Sequence, residues 1–143
     1  MSKKKKVLEF KVERTIPAPP AKVFRAWLNP KTPGTPWHEG EKLILNPKKN
    51  GFFYWLIMGT AHYGRFTKID QSKRIEHTWM SQNTLGEETT VSVTFKKKAQ
   101  GTLMTLVHSG IPDSDGGRSH KDGWNYFLDK LLGHFESGKM RQK

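Results

Sequence analysis

A chain of 143 residues with no cysteine and a net charge of +12 suits one domain; the missing cysteines exclude disulfides and thiolate metal sites. No apolar run is long enough to span a membrane. Charged residues from Glu9 onward interrupt the apolar segment that a signal peptide would need after Lys3–Lys6. We therefore expect a soluble cytoplasmic protein with one domain over 8–137 and basic tails at 1–7 and 138–143.

The first strand is predicted over 8–16, where apolar and polar residues alternate with period two. Arg14 falls on the apolar side of this alternation, so it is either a paired inward charge or the sign of a strand end. A short helix is predicted over 21–28, and the prolines and glycine within 31–41 argue against a long helix there.

Six further strands are predicted between this segment and the C-terminal region. The apolar run Phe52–Met58 is typical of a strand covered on both faces. Gly59-Thr60 after it resembles a two-residue type II′ turn, which places glycine first. The other five strands are predicted at 43–45, 62–69, 74–80, 89–95 and 102–109. Their hairpin-length connections indicate an antiparallel meander.

A long amphipathic helix is predicted from Ser119 to Phe135. Ser119 and Asp122 resemble a capping box, and Gly138 suits a left-handed stop. The apolar residues recur at helical spacing and form one stripe, which needs a large surface to pack against. They are Trp124, Phe127, Leu128, Leu131, Leu132 and Phe135.

Several segments together resemble the START-like (SRPBCC, helix-grip) superfamily, in its branch of activator of heat-shock-protein-90 ATPase homologues. The most specific segment is His108–Pro112 followed by Gly123-Trp124. The resemblance covers roughly residues 8 to 136. Its other parts are Ala18-Pro19 with Val23, Phe24 and Ala26, then Gly64–Ile69, Arg74-Ile75, Thr78-Trp79, Thr89–Phe95, Gly101-Thr102 and Thr105-Leu106.

The resemblance implies an α+β helix-grip fold, in which a curved antiparallel sheet of about seven strands wraps around the C-terminal helix. It also implies a cavity between sheet and helix, which in this superfamily often takes a hydrophobic small molecule. Eukaryotic chaperone activators of the branch carry an additional N-terminal domain, and we do not find a counterpart in this sequence. The leading hypothesis is therefore a small-molecule-binding module, with a chaperone-cofactor or other protein-interaction role as the alternative.

Matching strand register to the family pattern turns a set of aromatic residues and histidines toward the helix. These residues are either plain core or the lining of a ligand cavity, for which aromatic rings supply flat apolar area. The candidate cavity residues are Trp37, Phe53, Trp55, His62, Phe66, His77, Trp79, His108, His120, Trp124 and Phe127.

The four histidines of this set either form a polar patch that orients a ligand or are separate residues with their own hydrogen bonds. No metal site is expected, because tight ligand spacing such as HExxH is missing. His108-Ser109 and Ser114-Asp115 are adjacent pairs, but adjacency does not create a catalytic triad. We expect no cofactor and no enzyme activity.

Five apolar residues fall on the outward side of the same register: Phe52, Tyr54, Leu56, Leu103 and Val107. They indicate either a homodimer or protein interface, or a register error of one residue, which would exchange the two faces. The positive charge allows a third hypothesis, nonspecific nucleic-acid binding. The lysine runs lie at chain ends and expected hairpin tips instead of on one face, so nucleic acid is an unfavoured partner.

Overall fold

The computed structural model describes residues 7–141, with side chains described as far as Gly138. The predicted N-terminal tail therefore lies outside the described residues except for Val7, which begins the first strand. The elements are β1 (Val7–Ile16), α1 (Pro20–Trp27), a 3₁₀ helix (Pro36–His38), β2 (Lys42–Leu45), β3 (Phe52–Ile57), β4 (Thr60–Asp70), β5 (Arg74–Trp79), a 3₁₀ helix (Gln82–Thr84), β6 (Thr89–Lys98), β7 (Gly101–Pro112) and α2 (Asp115–Arg141).

All seven strands form one antiparallel sheet in the order β1-β7-β6-β5-β4-β3-β2. The predicted α+β class and the predicted meander are confirmed. β2 to β7 are joined in sequence by short connections, and β1 forms one edge of the sheet beside β7. This curved sheet lies against α2, as a helix-grip fold requires.

The turn between β3 and β4 differs from the prediction. Ile57 pairs with Thr60, so the two turn residues are Met58 and Gly59. Both have positive φ, 50° and 75°, which is the pattern of a type I′ turn and not of type II′. The turn therefore begins one residue earlier than predicted and leaves Met58 88% exposed.

The predicted ends of α2 were also wrong. The Ser114 hydroxyl accepts a hydrogen bond from Gly117 N at 2.9 Å, so Ser114 caps the helix and Ser119 lies within its second turn. The Ser119 hydroxyl donates to Gly116 O instead. Gly138 does not have the positive φ of a left-handed stop, and the helix continues to Arg141. The predicted tail at 138–143 is therefore helical as far as it is described.

The predicted apolar stripe of α2 is confirmed, since five of its six residues are buried and Leu132 is half-buried. The strand register is confirmed as well. Of the two alternatives for Arg14, the structure has the paired inward charge. Its Nε donates to Asp129 Oδ1 and its Nη2 donates to Asn125 Oδ1, both at 2.8 Å. Both partners lie on α2, so this arginine links β1 to the helix.

The outward residues divide into two groups. Phe52, Tyr54 and Leu56 lie on β3, whereas Leu103 and Val107 lie on β7, with β6, β5 and β4 between them. Phe52 is 66% exposed and the other four are half-buried. The five residues therefore do not form one continuous surface.

Candidate ligand-binding cleft

An open cleft of about 400 Å³ lies between the β3–β5 part of the sheet and the N-terminal half of α2. One wall comes from the strands, the opposite wall from the helix, and the 3₁₀ helix after β5 contributes one side. The residues that line it are Trp55, Ile57, Met58, Thr60, His62, Trp79, Asn83, Ser119, His120, Gly123, Trp124 and Phe127.

The structure brings six of the eleven candidate cavity residues together in this cleft: Trp55, His62, Trp79, His120, Trp124 and Phe127. It places the other five, Trp37, Phe53, Phe66, His77 and His108, in the packed core beside it. There the His77 ring lies 5.2 Å from that of Phe53, 5.4 Å from that of Phe66 and 6.0 Å from that of Trp37.

Sequence reasoning missed the other six lining residues. Ile57 continues the inward alternation of β3, and Gly123 lies four residues before Phe127 on the same helix face, so periodicity could have found both. Whether Met58 reaches the cleft depends on the type of turn between β3 and β4. Asn83 depends on the packing of its 3₁₀ helix against α2, which no local pattern predicts.

Four aromatic rings form the apolar walls of the cleft. The ring of Trp79 lies 5.1 Å from that of Trp124 and 5.8 Å from that of Trp55, and Phe127 lies 6.0 Å from Trp55. The indole N–H of Trp55 donates to Glu39 O at 2.6 Å. The walls therefore consist of rigid, mutually packed rings, which suits the stacking of an apolar ligand.

A buried hydrogen-bond chain holds Trp124 in place. An indole N–H can only donate, so Trp124 Nε1 donates to His108 Nδ1 at 2.9 Å and the His108 proton lies on Nε2. That N–H donates to Thr89 Oγ1 at 2.7 Å, and the Thr89 hydroxyl donates to Trp79 O at 2.5 Å. The chain fixes His108 as a neutral tautomer and links Trp124 to the strand that carries Trp79.

Burial keeps the histidines of this region uncharged. Desolvation lowers the pKa of His62 to about 4 and that of His108 to about 2, with the neighbouring His120 contributing in both cases. Burial also lowers the pKa of His120. No lysine, arginine, aspartate or glutamate is among the lining residues. The cleft is therefore an electrically neutral surface in a strongly basic chain.

Two polar side chains of the cleft form hydrogen bonds with the backbone of α2. The lining hydroxyl of Ser119 donates to Gly116 O at 2.7 Å, and His120 Nδ1 lies 3.0 Å from Gly117 O, so both side chains contact their own helix. Within the described part of the chain, no group of three or more histidines and carboxylates could hold a metal ion. What the cleft offers chemically is apolar area with a few hydrogen-bonding groups.

Two polar atoms of the cleft wall have no hydrogen-bond partner among the described residues. They are His62 Nδ1 and Trp79 Nε1, whose rings lie 5.0 Å apart. A buried polar atom without a partner costs about 1–3 kcal/mol.

A protein-family model described as "Activator of Hsp90 ATPase homolog 1-like protein" matches residues 17–136. The chain belongs to this family. No helix among the described residues is long and apolar enough to cross a membrane. No curated protein matches the chain.

Solved structures of similar fold cover most of this chain. A protein of Chromobacterium violaceum is 24% identical over 90% of this chain and 97% of its own, with a TM-score of 0.75. An HSP90 activator from Plasmodium falciparum is 25% identical over 85% and 91%, with a TM-score of 0.71. The Aha1 dimer from Colwellia psychrerythraea is 18% identical over 92% and 98%, with a TM-score of 0.73. These structures share the helix-grip fold of this chain.

Proposed function

We propose that this protein is a small-molecule-binding module, and that its ligand is an uncharged, hydrophobic or amphipathic molecule held in the cleft between the sheet and α2. The observation that carries the proposal is the neutral aromatic cleft of about 400 Å³. Its volume falls within the range of about 300–1,000 Å³ that small-molecule sites occupy.

The chemistry of the lining supports an uncharged ligand. A charged group would lose its hydration without gaining a partner of opposite charge, which is costly in an apolar site. The rings of Trp55, Trp79, Trp124 and Phe127 suit a flat apolar body. Asn83, Ser119 and His120, at one side of the cleft, supply partners for a polar end.

Gly123 offers a direct test, because it lines the cleft and a Cβ added there meets no atom within 4 Å. A leucine at this position fills the cleft from the helix side. We expect Gly123→Leu to weaken binding of the neutral fluorescent probe N-phenyl-naphthylamine by about tenfold or more, since overpacking costs about 1–3 kcal/mol. Fluorescence titration measures the change.

Gly133→Leu is the matched control, since Gly133 lies on the exposed side of the same helix and also has open space around it. Both substitutions replace a helical glycine by a better helix former, which adds up to about 1 kcal/mol of stability. Only Gly123→Leu should lose the probe. Equal binding by both variants would mean that the probe, and by extension the ligand, does not occupy the cleft.

A further inference from the structure

A second groove, of about 460 Å³, lies on the outer face of the sheet, opposite the ligand cleft. It runs across β2, β3, β4 and the end of β5. The residues that line it are Ile44, Phe52, Phe53, Tyr54, Tyr63, Gly64, Arg65, Thr78, Met80 and Glu88.

The strand register arranges the outward apolar residues of this groove in a row. Ile44 is the partner of Tyr54, Tyr54 is the partner of Tyr63, and Tyr63 forms a β-bridge with Met80. The rings of Tyr54 and Tyr63 lie 5.4 Å apart. A continuous apolar row of this kind on an outer face is typical of a protein-interaction site.

The exposure of the row is high for residues of this type. Ile44 is 57% exposed, Phe52 beside the row is 66% exposed and Tyr63 is 46% exposed. Covering these side chains with another apolar surface would remove area from water, which is the main favourable term in protein association.

Two opposite charges lie at separate places in the groove. Arg65 on β4 is the strand partner of Phe52, whereas Glu88 lies just before β6, one residue before the pair Trp79–Thr89. Arg65 donates to Asn50 Oδ1 at 3.2 Å, which uses one of the five N–H groups of its guanidinium. Glu88 is exposed.

This arrangement is complementary to itself. In a two-fold dimer the same surface meets on both copies, so a residue on one side of the axis faces a different residue of the other copy. Arg65 of each copy can then face Glu88 of the other, which gives two opposite-charge pairs beside the Met80 end of the apolar row. Such pairs also offset the repulsion between two chains that each carry a net charge of +12.

We propose that this outer face, which carries the row Ile44–Tyr54–Tyr63–Met80 together with Arg65 and Glu88, is the interface of a two-fold homodimer. The occupant of the groove is thus a second copy of this chain. The ligand cleft lies on the opposite face of the sheet and stays open in such a dimer, so the two proposals can fail independently.

Sedimentation equilibrium of the full chain tests the interface by charge exchange. Arg65→Glu and Glu88→Arg each place like charges opposite one another, and each is expected to raise the dimer dissociation constant by at least about tenfold. The double variant Arg65→Glu/Glu88→Arg restores both pairs with the signs reversed. It is expected to return the dissociation constant to within about threefold of the wild-type value, because paired charges of either order attract alike.

Lys96→Glu is the control for net charge, because it changes the charge by the same amount as Arg65→Glu and lies on β6 outside the groove. It should leave the dissociation constant unchanged. A wild-type chain that sediments as a monomer at every concentration would overturn the proposal. A dimer that the double variant fails to restore, or one that only Lys96→Glu weakens, would overturn it as well.

Discussion

Replacing Gly34 with alanine is expected to lower the free energy of unfolding by about 3 kcal/mol or more, from overpacking together with a strained backbone. A Cβ at Gly34 would lie 2.2 Å from Leu131 N and 2.7 Å from Leu131 Cβ, and the residue has a φ of +98°. Neither the backbone of α2 nor this φ can adjust without cost. Urea unfolding followed by circular dichroism measures the change.

The effect of Gly34→Ala should also reach the cleft. Gly34 belongs to the irregular segment before β2, which packs against α2. The same segment carries Glu39, whose carbonyl accepts a hydrogen bond from the Trp55 indole N–H. Gly133→Ala, on the exposed side of α2, is the matched control and should raise the free energy of unfolding by up to about 1 kcal/mol. If both variants unfold at the wild-type urea concentration, the close approach of Gly34 to α2 is incorrect.

Acidification is expected to unfold the protein between pH 6.5 and pH 4, because burial lowers the pKa of His62, His77 and His108 far below their ordinary value of 6.5. Below pH 6.5 the unfolded chain binds protons that the folded chain does not, so stability is full above pH 6.5 and falls as the pH falls. Each such histidine contributes up to about 1.4 kcal/mol per pH unit, and the three together up to about 4 kcal/mol per pH unit.

His77 is the best single test of this acid sensitivity. It is 1% exposed, and its Nδ1 donates to Thr78 O at 2.9 Å. Desolvation lowers the pKa of His77 to about 4 and outweighs the hydrogen bond to Thr78 and the charge of Glu76, which both raise this pKa. His77→Gln keeps a side-chain donor but cannot titrate, so its free energy of unfolding should fall less steeply with acid than that of the wild type. Equal slopes in the variant and the wild type would contradict the burial argument.

The fold could be predicted from the sequence because each element carries its own period. The alternation in β1 and β6 identified the inward residues, and the stripe of α2 identified the surface that the sheet covers. The role of Arg14 was left open, because a charged residue on the apolar face of a strand can either be paired or mark the end of the strand. Only the position of Asp129 across the sheet–helix contact decides between them.

The errors have local physical reasons. Ser114 and Asp115 were considered only as a catalytic pair and rejected as one, although a serine followed by an acidic residue in the first turn also caps a helix. At the β3–β4 hairpin, glycine takes the second turn position and Met58 adopts positive φ, a conformation that sequence preference disfavours. Five of the eleven candidate cavity residues lie in the packed core, because inward register alone cannot separate residues that line a cavity from residues that fill it. His77 and His108 belong to the second kind.

The most direct test of the proposed ligand site is the response of the five indole N–H resonances to N-phenyl-naphthylamine, followed by nuclear magnetic resonance. Trp55, Trp79 and Trp124 line the cleft, whereas Trp27 and Trp37 lie in the core. We expect the three cleft resonances to shift with one common dissociation constant while the two core resonances change little. The sulfonated analogue of the probe should bind the cleft more weakly, despite its attraction to a basic chain. Unchanged cleft resonances at saturating probe, or tighter cleft binding of the sulfonate, would contradict a neutral ligand site under α2.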